Sequence, residues 1–297
     1  GVIYTFADGD QPGTELNLFR FVEGIGLKPV LCGNIKGLHD PYRNPTTQEG
    51  FARKWNQKPA RVASFADGTK ISYEQAVVAN ATGMKVAKRG MLGFDFSVGD
   101  VTRPLVPLED HVQVFNDFLD QHLAAGGPGV VDYVVGARPG PGIFVLGTID
   151  DPAQQNFLKL FKMGEGPYYC FTTQTHLCHF EATSSIGRAV IFDDPTCAPI
   201  AGPEVGVIAV AKKNLSAGDT IVDFGGYEVY GVLENIEVIR REGLLPIGIA
   251  LDCKVRHGVA KDAPLRYADV ILPEGRFVDK LYAEQEDVFA EGLRAAS

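Results

Sequence analysis

Two rhythms of apolar and polar positions run along this chain, and the change from one to the other divides it. From Thr14, the residues Leu16, Phe19, Phe21, Val22 and Ile25 recur at helical spacing. That spacing predicts an amphipathic helix that starts near Pro12 and Gly13 and ends at Gly26. Short β-rich runs flank it, Val2–Phe6 before and Lys28–Gly33 after. Strand, helix and strand in this order predict a parallel pair with a right-handed crossover. A polar, turn-rich stretch over 34–60 carries a short helix around Phe51–Trp55. Helical patterning returns over Tyr73–Gly83, with Ser72 as its cap, and over 108–124, where Val112, Phe115 and Leu119 share one side. Val130–Val135 and Ile143–Gly147 are β-rich and joined by a Pro- and Gly-rich link, which predicts an antiparallel hairpin. Residues 152–162 read as helix, Tyr168–Thr173 as strand and His176–Arg188 as helix.

After Asp193 the helical rhythm stops. A Pro/Gly-rich linker leads into short strands at Val205–Ala211, Thr220–Asp223 and Glu228–Gly231, separated by turn-forming residues. The expected class is α/β: an α+β catalytic region with a mixed sheet over 1–195, a small β-rich module over 203–275 and a tail over 276–297. No internal repeat is visible.

Composition narrows the function classes. Apolar residues make up 45% and charged residues 22% of the 297, as in a packed globular protein. The net charge of -9, with no basic stripe, argues against a nucleic-acid partner. The cluster Lys85, Lys88, Arg89 reads as a solvated helix end. No apolar run reaches the roughly 18 residues that cross a bilayer, and the start lacks a leader pattern. No membrane partner is therefore expected. Five irregularly spaced cysteines fit a reducing compartment, so the expected location is cytoplasmic.

Four polar clusters are candidates for chemistry. Asp8-Gly9-Asp10-Gln11 follows the expected opening strand, and ligands of open α/β sheets collect at the carboxyl ends of strands. An Asx turn that shapes the loop is the alternative. Lys36 lies in Gly33-Asn-Ile-Lys-Gly37 at the end of the next strand, where an ammonium can hold an anion or give a proton to a developing alkoxide. Asp67, Thr69 and Lys70 come just before the helix that carries Glu74 and Asn80. Lys70 with Glu74 also reads as a surface ion pair. Asn80 sits among small apolar residues and needs partners if buried. On a helix, His176 and His179 would share a face near Glu181, a spacing compatible with a metal or a substrate contact. HExxH and paired CxxC patterns are absent, and no metal site is assigned. No GxGxxG follows a strand, so the ordinary dinucleotide fingerprint is missing.

Several strings together resemble one family: the opening YTFADGDQPG, the GNIKG segment, FADGTKISYEQAVVANATGM, PGPGIFVLG and GPYYCFTTQTHLCHFEATSSIGRAV. They are similar to the homoserine-dehydrogenase-like oxidoreductases with a C-terminal SAF domain. That group includes the deoxyxylulose-5-phosphate-reductoisomerase-like enzymes of bacterial isoprenoid synthesis. The run from Ala209 to Val270 is similar to the SAF module. The resemblance implies NAD(P)H-dependent hydride transfer, or a reductoisomerase reaction, on a small polar hydroxy-carbonyl substrate, phosphorylated or not. It implies Lys36 and Lys70 at the developing oxyanion, with Asp10 and Asp67 beside them. Glu74, Asn80, Thr69, His176 and His179 would bind substrate, and Gly9 and Gln11 would meet the cofactor, NADP or NAD. A divalent cation held by carboxylates would suit an α-hydroxyketone. A homo-oligomer is expected. Members of the family begin with a Rossmann domain, so a nucleotide-binding segment on the order of 100–150 residues is expected before Gly1. A ligand-binding protein and a lyase without nicotinamide chemistry remain open as other readings.

Overall fold

The computed structural model describes residues 2–200 and 202–295, with the backbone alone over 290–295. The chain divides into two compact units, Gly1–His39 with Ile71–Val205, and Asp40–Lys70 with Gly206–Ser297. The fold is mixed α/β: a five-stranded mixed sheet, then small two-stranded sheets toward the C-terminus.

The first unit is built on that sheet. Its strands are β1 (Lys28–Lys36), β2 (Phe94–Asp95), β4 (Val130–Val135), β6 (Gly142–Thr148) and β7 (Tyr168–Thr173), in the order β2-β4-β1-β6-β7. Two short strands, β3 (Val106–Pro107) and β5 (Ala137–Arg138), pair beside it. β1 runs parallel to β4 and antiparallel to β6. Both of its faces are covered, which is why its residues are buried almost without a break rather than in alternation.

Helix α1 (Gln11–Gly24) covers one face of the sheet: a side chain at Gly147 would strike Val22, and Gly147 shares its face with Val145, the partner of Cys32. The opposite face packs Leu31, Ile35, Val130, Val134 and Phe144 against Leu108, Val112, Phe115 and Leu119. The Phe115 and Phe144 rings lie 6.0 Å apart.

Three expectations for this unit fail for non-local reasons. Val2–Phe6 forms no strand, because β4 and β6 already occupy both edges of β1, and Val2 and Tyr4 stay exposed. β4 and β6 form no hairpin, since β1 lies between them and each bonds to β1 instead. The helix after β7 is α7 (Ala182–Phe192), later than expected. Glu181 turns its carboxylate back to accept from Leu177 N at 3.1 Å, so His176 and His179 fall in the preceding loop and share no helix face. Residues 108–124 divide into two 3-10 turns and helix α5 (Asn116–Ala124), yet Val112, Phe115 and Leu119 still enter one core. Helix α6 (Pro152–Leu160) and strand β7 stand where the pattern puts them.

The second unit contains α2 (Glu49–Lys54), α3 (Pro59–Ala66), β8 (Val205–Ala211), β9 (Val229–Asn235), α8 (Ile236–Glu242) and α9 (Ile247–Ala250). β10 (Lys254–Val255) and β11 (Val270–Ile271) follow as an antiparallel pair. Ile208, Val210, Ile236, Ile239 and Leu244 form its core. Thr220–Asp223 is not a strand; Thr220 makes a single bridge to Lys254. The C-terminal tail is a helix, α10 (Phe277–Ala295), fastened to α8 by Arg240 and Glu286 at 2.8 Å. Residues 296–297 of that tail lie outside the described residues.

Helix α4 (Thr69–Thr82) starts in the second unit and continues into the first. It begins earlier than Ser72, because Asp67 Oδ1 accepts from Thr69 N at 2.9 Å and so fixes the turn. No helix among the described residues is long and apolar enough to cross a membrane.

Candidate active site

One face of β1 meets a cluster of buried polar side chains. Regular pairing from Leu31 to Lys36 puts Leu31, Gly33 and Ile35 toward the aromatic core and Cys32, Asn34 and Lys36 toward α1. Two α1 residues one turn apart, Gln11 and Glu15, meet that face. From α4, Glu74 and Gln75 arrive beside them. In the amide orientation that satisfies both groups, the Gln11 nitrogen donates to both Glu74 carboxylate oxygens at 2.7 Å and its oxygen accepts from Asn34 Nδ2. Gln75 Nε2 donates to both oxygens of Glu15, at 3.2 and 2.9 Å. All five side chains are buried, and Glu15, Asn34 and Gln75 have no exposed surface.

Such a cluster is costly unless each group is paired. Burial pushes the Glu15 carboxyl well above its usual range; the bond from Gln75 opposes that shift, and the nearby Glu74 adds to it. Burial also pushes the Cys32 thiol well up, with Glu15 contributing, so this cysteine is no ready nucleophile. Gln75 Oε1 is buried without a hydrogen-bond donor. The cluster thus offers fixed amides, a carboxylate and an unused acceptor at the carboxyl end of β1, next to Lys36.

The approach loop before α1 is tightly fixed. Asp8 Oδ1 accepts from Thr196 Oγ1 at 2.7 Å, from Arg188 at 2.9 Å and from Asn17 at 3.3 Å. Asp10 caps α1, accepting from Gln11 N at 3.0 Å, and also accepts from Cys178 Sγ at 3.4 Å. Gly9 is held against the next loop: a side chain there would come within 2.7 Å of the Leu177 carbonyl.

The residues singled out from sequence are distributed over both units. Gln11 and Glu74 come together, and Lys36 shares their face of β1. Asn80 is a backbone clamp: its Oδ1 accepts from Glu204 N at 2.7 Å and Val205 N at 3.2 Å. Asp67, Thr69 and Lys70 belong to the second unit. There Asp67 is fully buried against Lys212 Nζ at 2.8 Å, which also donates to the carbonyls of Arg43 and Gly226. Thr69 Oγ1 accepts from Gly231 N at 2.9 Å, and the Lys70 ammonium lies 5.6 Å from the Phe65 ring. His176 is half-buried and His179 exposed, both in the loop before α7.

Sequence reading passed over Glu15, Gln75 and Asn34 as site residues. The available signal was polar residues on faces otherwise patterned for burial: Glu15 one turn after Gln11, and the Glu74-Gln75 pair beside Ile71 and Val78. Asp132 was also missed. It is fully buried on β4 and accepts from Gly93 N, Leu92 N and Tyr133 N, at 2.8, 3.0 and 2.7 Å. Burial outweighs those bonds and moves its carboxyl up to about 6.

A family model described as oxidoreductase DRL, catalytic domain, matches residues 9–182. The chain belongs to that family. The match spans α1, the whole five-stranded sheet and the polar cluster, and the DRL catalytic domain implies oxidoreductase activity. None of the curated proteins matches the chain.

Two expected groups can be tested against the donors of the DRL domain. A dinucleotide pyrophosphate needs free backbone N–H groups at a helix start. At α1, Asp10 already accepts from Gln11 N, Pro12 has no N–H, and the cap is an anion. That donor set does not fit a pyrophosphate. A divalent cation needs several hard ligands, and no group of three His, Cys, Asp or Glu among the described residues is arranged to hold a metal ion.

Proposed function

We propose that the DRL domain of this chain binds a small hydroxy-carbonyl substrate and handles its proton in a reduction, or reductoisomerisation, driven by NADPH or NADH. The buried cluster of Gln11, Asn34 and Glu74 beside Lys36 carries this reading. A hydroxy-carbonyl compound presents one hydroxyl and one carbonyl oxygen. Glu74 and the unused Gln75 oxygen suit the hydroxyl, as acceptors. The Asn34 amide and the Lys36 ammonium suit the carbonyl oxygen, as donors whose attraction grows as negative charge develops there. Burial makes each of these interactions stronger than in water. The nicotinamide, where bound, supplies hydride; the residues of this chain orient the substrate, exclude water and stabilise the oxyanion. The SAF-like character of residues 203–275 belongs to the same proposal and rests on resemblance.

The test uses the full-length gene product with NADPH and, separately, NADH. The substrates are glycolaldehyde, hydroxyacetone and their phosphate esters, with loss of nicotinamide absorbance as the readout. Turnover of at least one compound is expected, and Glu74→Gln should lower kcat/KM about 100-fold through loss of the charged acceptor. Calorimetric binding of these compounds without nicotinamide oxidation would favour the ligand-binding or lyase readings instead.

A further inference from the structure

Tyr133 stands on β4 directly beside Asn34, its register partner on β1. In-register residues of neighbouring strands point to the same side, roughly 4.8 Å apart. Val130 and Val134 face the aromatic core, so Tyr133 faces the polar cluster with Asn34 and Lys36. Its hydroxyl lies 3.4 Å from His39 Nδ1, and the two rings pack at 5.0 Å between centroids. The ring also rests over Gly93, whose φ of 67° places it in the left-handed region. A Cβ at Gly93 would sit 2.4 Å from the Tyr133 hydroxyl, so the fold leaves that space to the phenol. Tyr133 is almost buried, whereas His39 is half-exposed and reaches solvent. Hydroxyl and imidazole thus lead from the buried ring toward solvent.

We propose that Tyr133 is the catalytic proton donor of this site and that His39 returns the proton to it. The inference rests on the hydroxy-carbonyl reading. The Tyr133 O–H bond breaks as a new O–H bond forms on the substrate alkoxide. The tyrosinate then takes a proton from the His39 imidazolium, and neutral His39 is reprotonated by solvent. This step changes no oxidation state; the hydride would be supplied separately by a reduced nicotinamide when one is bound. Lys36, one register pair further along the same face, keeps the transient tyrosinate and alkoxide in a cationic field. Burial, with the negative charges of Asp132 and Asp95, holds the phenol in its protonated form until an alkoxide appears.

The test compares wild type, Tyr133→Phe and His39→Gln in the full-length gene product with the same four compounds. Tyr133→Phe is expected to lower kcat about 100-fold or more, with KM changed less than about threefold. His39→Gln should lower kcat about tenfold, and added imidazole should restore much of it, which no structural role would produce. Tyr133→Phe that keeps kcat within about twofold, or His39→Gln without imidazole rescue, overturns the proposal while leaving the substrate reading intact. A wild type that turns over none of the four compounds overturns the substrate reading, and this inference with it.

Discussion

The Glu15 carboxyl and the Gln75 amide meet at 2.9 Å in the interior of the first unit, both without exposed surface. Burial favours the protonated form of the carboxyl and raises its titration well above the usual range. An unfolded glutamate titrates near about 4.3, so the native state binds this proton more tightly than the unfolded chain. The resulting stabilisation is complete below that ordinary range and is lost as pH rises through the native titration. Asp132, pushed up to about 6, acts with the same sign. Glu15→Gln removes one of the two titrations. Its stability relative to wild type should rise with pH above about 4.5, by up to about 1.4 kcal/mol per unit. Urea unfolding across a pH series measures this, and parallel curves for the two proteins would show that Glu15 is ionised in the fold.

Lys36 shares the Asn34 face of β1 at its carboxyl end. If it stabilises an oxyanion, Lys36→Ala should lower turnover about 10²–10³-fold while the denaturation midpoint stays near that of wild type. Arginine should restore little, because a planar guanidinium does not replace a compact ammonium. Steady-state kinetics with thermal melts decide this, and full activity in the alanine variant would remove Lys36 from the mechanism.

Asn80 should prove to be a stability residue. Its amide holds the backbone at Glu204 and Val205. Asn80→Ala strands those donors and should cost about 1–3 kcal/mol in chemical denaturation. kcat/KM should change little; a large kinetic loss in a protein of normal stability would instead make Asn80 a substrate contact.

In the second unit, Lys212 and Asp67 are a buried ion pair at 2.8 Å. Lys212→Met leaves the carboxylate buried and uncompensated, which should cost about 3–5 kcal/mol. Adding Asp67→Asn should recover part of that loss. A double variant no better than the single one would show that the lysine acts through its two carbonyl contacts rather than through the pair.

The chain announces its local structure plainly. Periodicity is a near-neighbour property, so the spacing of Leu16, Phe19 and Val22 marks α1, and the residues of β7 stand where the pattern puts them. The buried side of the 108–124 segment is likewise legible, although its first half winds as 3-10 turns. Partner choice is a different matter, because it depends on competition between segments far apart. β1 takes β4 and β6 as its two neighbours, which removes both the expected hairpin and any place for Val2–Phe6. The polar face of β1 follows the same logic. Gln11, Lys36 and Glu74 carry visible chemistry in the sequence, but Glu15, Asn34, Gln75 and Tyr133 look there like ordinary members of helices and strands. Packing α1 onto the sheet, with Glu74 and Gln75 of α4 reaching Gln11 and Glu15, strips water from these groups and makes them hydrogen-bond partners of one another. Local pattern determined which segments became helix and strand; burial, which only the assembled sheet imposes, decided which polar residues form the buried cluster.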